Sequence, residues 1–221
     1  MAEASGATAN AAAQSSLSDQ LHEAAEIGDV AALREALAAG AHVDARRADP
    51  AGVSRTPLAL VTSYCVPGRT ACVRALLLAG ASPSAPITHP GGGCWMPLHE
   101  AAFLGLYTVC RLLLDAGADV NVQDGRECTP LYYAAARQDN AERRQKLIAL
   151  LLSRGGVDGP SLDPGSRSPY LQKIRAAGGF ATYEKQHRAR LVAMLAPKFA
   201  HLLPPELVSV VITFWAPVGL H

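Results

Sequence analysis

Short amphipathic runs rich in leucine and alanine recur along the chain, each closed by a glycine. In "MPLHEAAFLGLYTVCRLLLDAGADVNVQD", residues 96–124, one apolar run ends at Gly105 and a second, carrying Leu112, Leu113 and Leu114, ends at Gly117. Proline just inside a helix start and glycine just past a helix end are the signals of a helix, a turn and a second helix. The stretch therefore predicts a helical hairpin.

The same pattern occurs three more times. Residues 19–44, "DQLHEAAEIGDVAALREALAAGAHVD", match it without a gap from Leu21 to Gly40. Residues 56–83 match after about three extra positions near 66–68, and residues 129–158 after about five. The anchor leucines Leu21, Leu58, Leu98 and Leu131 lie 37, 40 and 33 residues apart, which sets a basic period of roughly 33 residues. A degenerate fifth copy begins at "SPYL", residues 168–171.

Each recurring residue has a physical reason. Thr56, Thr129 and Ser168 fall at N-cap positions, where a hydroxyl accepts from an orphan N–H, and Pro57, Pro130 and Pro169 follow where a missing N–H costs nothing. Asp19 is placed to cap the first unit, whereas Met96 offers no such acceptor to the third. Small Ala24, Ala101 and Ala134 let neighbouring helices approach. The leucines at 76–78, 112–114 and 150–152 face adjacent units, and Gly40, Gly80, Gly117 and Gly155 end the second helices in a left-handed conformation. One such hairpin cannot hide its apolar side, so four or five must stack into a short solenoid.

Composition agrees with close helix packing: 49% of residues are hydrophobic but only 5% aromatic. A net charge of +1 supplies no global field for nucleic acid or an anionic membrane. Cys65, Cys72, Cys94, Cys110 and Cys128 form no CxxC pair and no zinc spacing. With no secretory signal ahead of them, they point to a reducing, cytoplasmic or nuclear setting. Residues 1–17 read as a disordered leader, and no stretch reaches the roughly eighteen consecutive apolar residues of a spanning helix.

On the motif at residues 96–124 and its three companions, the chain resembles the ankyrin-repeat family over roughly residues 18–158, with weaker coverage beyond. The resemblance implies an all-α solenoid of stacked helix-turn-helix units with protruding hairpin loops, capped by C-terminal helices. Its units fall at about 18–50, 51–90, 91–125 and 126–160, with a degenerate fifth at 161–180 and a C-terminal segment at 181–221. It also implies that His22 and His99, at the same repeat position, link neighbouring loops by hydrogen bonds. Longer hairpins, at residues 44–55 and 84–95, depart from the pattern.

No nucleophile has a recognisable local motif, and "HPGGGCW", residues 89–95, lacks the ending of a phosphate loop and reads as a flexible hairpin tip. No enzyme, cofactor or metal site is expected. In the family the two residues before the inter-helix turn face the concave side. Here these include Glu26, Ile27, Tyr64, Phe103, Leu104 and Arg137, an apolar stripe with charged flanks suited to a protein partner. Hairpin tips around Arg46, Arg47, Ile87, His89, Gln123, Asp124 and Arg126 would add contacts. The expected partner is a protein of unknown identity, bound by a chain that is monomeric alone, with no nucleic acid and no membrane.

Residues 203–215, "LPPELVSVVITFW", carry helix-start prolines and an apolar face. One reading is a helical cap on the last repeat. Another follows from a resemblance to the opening helix of F-box or related ubiquitin-ligase adaptor boxes, in which Leu203, Pro204, Leu207, Val211, Phe214 and Trp215 would engage a ligase core.

Overall fold

A computed structural model describes residues 2–136, 141–157, 169–199 and 207. Its helices come in pairs: α1 (Ala2–Ile27) with α2 (Val30–Ala38), α3 (Pro57–Ser63) with α4 (Arg69–Leu78), and α5 (Pro97–Phe103) with α6 (Tyr107–Asp115). α7 (Pro130–Ala136) with α8 (Ala141–Ser153) and α9 (Pro169–Ala176) with α10 (Phe180–Phe199) complete them. First helices pack on first helices, α1 to α3 to α5 to α7, and second helices on second helices, α2 to α4 to α6 to α8. This is a solenoid with two helical layers.

The layers meet along a continuous core. Leu21, Leu58, Leu98 and Leu131, the four anchor leucines, are all fully buried at equivalent places, with Leu76, Leu113 and Leu151 opposite them from the second helices. Ala24, Ala101 and Ala134 are buried in the same core, where their small side chains suit close helix packing. Tyr170, Leu171 and Ile174 of α9 continue the core into the fifth pair, whose partner helix is α10. A boundary at residue 180 therefore falls inside this last hairpin.

Caps follow the residue chemistry. The Thr56 and Thr129 hydroxyls accept from the N–H groups of Ala59 and Tyr132, each at 3.3 Å. Ser168 lies outside the described residues. Asp19 caps nothing, because α1 is one helix from Ala2: the alanine-rich segment expected to be a disordered leader has high helix propensity and runs without a break into the first unit. The cap of that hairpin is Asp29, which accepts from the Ala31 and Ala32 N–H groups at 2.9 and 3.1 Å and starts α2.

Gly40, Gly80, Gly117 and Gly155 end the second helices with φ of 92°, 88°, 90° and 87°. Hairpin loops then run out to the next unit. Two of them are ordered into a small antiparallel sheet, β1 (Arg47–Ala48), β2 (Ser54–Arg55), β3 (Ile87–Thr88) and β4 (Cys94–Trp95), in the order β1-β2-β3-β4. Ser54 pairs with Thr88 across the two loops, and Val53, Ala59 and Ile87 form a satellite core beneath. The two long hairpins are thus one layer. Among the described residues, no helix is long and apolar enough to cross a membrane.

Candidate functional site

The first helices of the stack end at one edge, and each presents a side chain there. Ile27, Tyr64 and Phe103 are 59%, 43% and 48% exposed, large apolar groups left outside the core at equivalent ends of successive first helices. Ile27 and Phe103 occupy the last helical turn, where the following left-handed glycine, Gly28 or Gly105, prevents the helix from continuing. Tyr64 reaches the same edge differently. Its backbone is already extended, and the Arg69 guanidinium donates to its carbonyl to close the longer turn. The turn leaves the ring open. Leu104 is half-buried, and Arg137 lies outside the described residues.

Two of these side chains are roofed from the hairpin layer. Arg55 lies over the Tyr64 ring with its guanidinium carbon 5.9 Å from the centroid. Trp95 packs on Phe103 at 5.8 Å and on Tyr133 at 5.2 Å between centroids, and Tyr133 meets Tyr132 at 5.3 Å and Phe103 at 6.2 Å. Arg55 and Trp95 each stand three residues before an anchor leucine, so they hold one repeat position. That register was the available signal for Trp95, which the stripe at the helix ends omits. Trp95 meets its two neighbours at tilted angles, and Tyr133 meets Phe103 and Tyr132 edge to face, so the four rings form one aromatic cluster.

Charges frame this surface. Arg47 pairs with Glu26 at the first unit, and Arg55 with Asp49 at 2.6 Å, a bond that holds the Asp49 carboxyl below its usual range. Burial pushes the Glu100 carboxyl up, and Arg55 and Arg69 only partly offset it. Asp124 accepts from Tyr133 Oη and from the Cys128 and Arg126 N–H groups. Burial opposes its ionisation, but these bonds outweigh burial and keep it acidic.

The hairpin residues divide by task. Arg46 donates to Ser54 Oγ, Ser54 O and Thr88 Oγ1 at 3.2, 3.0 and 3.0 Å and so staples the first two loops. Ile87 is 2% exposed and belongs to the satellite core, because alternation along β3 turns it inward; it is no contact for a partner. His89, Gln123 and Arg126 are exposed at the tips. Asp44 and Asn121, at one repeat position, tie each loop to the next unit. Asp44 accepts from the Ser82 N–H at 3.1 Å, and Asn121 both donates to Gly155 O at 3.1 Å and accepts from the Val157 N–H at 2.8 Å.

The two aligned histidines do different work. His99 Nδ1 accepts from the Met96 N–H at 3.2 Å, and its Nε2–H donates to Val122 O and Cys128 O at 3.0 and 3.1 Å, so it caps its own helix and holds the next loop. His22 sits inside continuous α1. Its Nδ1–H donates to Ser18 O at 2.7 Å, and its buried Nε2 has no partner among the described residues. A link from His22 to a neighbouring loop, expected from the resemblance, is absent because no helix start exists there to set the opposite tautomer.

Cys72 and Cys110 are fully buried, and burial pushes both thiols up. Among the described residues no three His, Cys, Asp or Glu side chains converge as metal ligands. The adaptor-helix positions Leu203, Pro204, Val211, Phe214 and Trp215 lie outside the described residues, and of that set only exposed Leu207 is described.

Stacked helical hairpins with protruding loops and an open inner edge define a repeat protein of the ankyrin class. The family described as ankyrin repeats (3 copies) matches residues 21–124 and 68–163, and the chain belongs to it. A segment is 40% identical over 81 residues to the serine/threonine-protein kinase VIK of Arabidopsis thaliana, covering 35% of this chain and 17% of the kinase. Another is 47% identical over 62 residues to the tRNA endonuclease ANKZF1 of Bos taurus, covering 28% of this chain and 8% of that protein. The chain thus spans less than a fifth of either relative.

Proposed function

We propose that the protein is a non-catalytic interaction module that grips a protein partner along the inner edge of its repeats. The carrying observation is the row of exposed Ile27, Tyr64 and Phe103, extended by the Trp95 and Tyr133 rings and bordered by Glu26, Arg47 and the hairpin tips at His89 and Arg126. Ankyrin repeats are protein–protein interaction modules, which favours this reading over any activity named for the two relatives.

Rigidity supplies the mechanism. Arg46, Asp44 and Asn121 already fix the loops, so little ordering entropy is lost when a partner docks. Aromatic groups of limited rotamer freedom then desolvate against the partner, while the charged flanks select orientation.

Tyr64→Asp combined with Phe103→Asp tests this. The double variant is expected to keep wild-type helicity by circular dichroism and to lose the partners recovered by affinity purification from the native cell. Undiminished recovery by a folded variant rules out the inner edge as the binding surface.

A further inference from the structure

One acid interrupts the apolar row of the inner face. Glu100 stands two residues after its anchor leucine, and Leu60 and Tyr133 hold that repeat position in the units on either side. The helices that carry them, α3 and α7, both pack on α5. Glu100 also precedes exposed Phe103 by one turn of the same helix, and residues three apart share a face. Its half-buried side chain is therefore set within the row. Glu23 holds the same position in the first unit but is exposed, so water already serves it.

The Glu100 carboxylate has no mate. It accepts no hydrogen bond and makes no ion pair among the described residues. The Arg55 and Arg69 guanidinium groups act on it through space, and both are committed elsewhere. Arg55 is held by Asp49 at 2.6 Å, and Asp49 is itself fixed by the Ala51 and Val53 N–H groups at 2.9 Å each. Arg69 donates to the Tyr64 carbonyl. Burial consequently outweighs their attraction and pushes the Glu100 carboxyl up. A desolvated carboxylate without a partner costs free energy that a donor from another molecule would restore.

We propose that Glu100 selects partners presenting an arginine, whose guanidinium pairs with this carboxylate and lies against the exposed Phe103 ring. The inference rests on the inner edge being the binding surface and adds the chemistry of its occupant. Arginine fits better than lysine, because its planar fork meets both carboxylate oxygens, stacks on aromatic faces and is more weakly hydrated. The protein makes the same kind of ring contact within itself one unit earlier, where Arg55 lies over Tyr64. Apolar residues flanking the partner's arginine would cover Tyr64 and Trp95.

Random linear peptides displayed on phage and selected on the full chain supply the probes, and the selected peptides are then titrated by fluorescence anisotropy. Expected are sequences with an arginine beside apolar residues, at least about tenfold weaker binding when that arginine becomes its neutral isostere citrulline, and the same loss in Glu100→Gln. The two changes together should cost no more than either alone. Citrulline alters the peptide only, so that arm holds whatever the protein variant does; Glu100→Gln should keep or raise the melting temperature, because it removes an unpaired charge. Tyr64→Asp/Phe103→Asp separates this inference from the reading beneath it. If that variant abolishes binding but the peptides lack arginine, take lysine equally well, or show additive losses for citrulline and Gln, the role of Glu100 is overturned and the inner edge stands. If binding survives the double variant, or no peptide is selected, both are overturned.

Discussion

His99 joins three backbone segments with one neutral imidazole, and its proton balance is therefore coupled to folding. Burial lowers its pKa, while its carbonyl partners and Asp124 oppose that shift without cancelling it. The native state thus binds fewer protons than the unfolded chain once the pH drops below about 6.5, the ordinary histidine value. The His99 contribution is complete above that pH and is lost as the pH falls through the depressed folded pKa. Melting temperatures measured from pH 7.5 to 5 should decline, and His99→Gln should be less stable at pH 7.5 yet show a shallower decline. An unaltered slope refutes the assignment. Gly28 makes a second residue-scale case: φ is +78°, and a Cβ there would stand 2.2 Å from Pro67 O. Gly28→Ala should cost at least ~1 kcal/mol from the backbone alone, with the clash adding to it, read as a shift in denaturant midpoint. Neither feature is visible in a residue name. His22 and His99 share a repeat position and a neighbouring leucine, and only the presence or absence of a helix start separates their tautomers.

At the scale of elements, the helices and their order were legible because glycine, proline and leucine recur at fixed offsets, each with a local physical cause. Leu21, Leu58, Leu98 and Leu131 aligned in sequence and are aligned in the core. What escaped were features needing two units at once. Trp95 reads as part of a glycine-rich loop until the fold sets it against Phe103 of its own unit and Tyr133 of the next, and Asp44 and Asn121 read as ordinary loop residues until the next unit supplies Ser82 or Gly155. Substitutions should rank accordingly. Leu113→Ala removes a fully buried side chain between layers and should cost ~2–5 kcal/mol by chemical denaturation. Asn121→Ala should cost about 1–2 kcal/mol, because it strands the Val157 N–H and Gly155 carbonyl at an exposed loop where water partly replaces it. A larger loss for Asn121 than for Leu113 would mean that the loops, not the helical layers, hold the units together.

For the molecule as a whole, contacts run from each unit to its neighbours, so the effect of a cavity should depend on where along the stack it lies. Leu98 belongs to the third unit, whose first helix packs on both α3 and α5's other neighbour, α7. Leu171 belongs to α9 at the far end of the described core. The same Leu→Ala change therefore removes coupling in two directions at position 98 and in one at position 171. Native-state hydrogen exchange distinguishes them. Leu171→Ala should lower protection in α7–α10 and leave α1–α4 near wild type. Leu98→Ala should lower it on both sides and broaden the unfolding transition, because the first two units lose their connection to the rest. The inner-edge surface is assembled from side chains of several units, Ile27 on α1, Phe103 on α5 and Tyr133 on α7, so it exists only while that coupling persists. Partner affinity should accordingly fall in Leu98→Ala even though Leu98 is buried and touches no partner, and should hold in Leu171→Ala. Equal protection losses throughout the chain in both variants would show one all-or-none unit in place of a chain of neighbours.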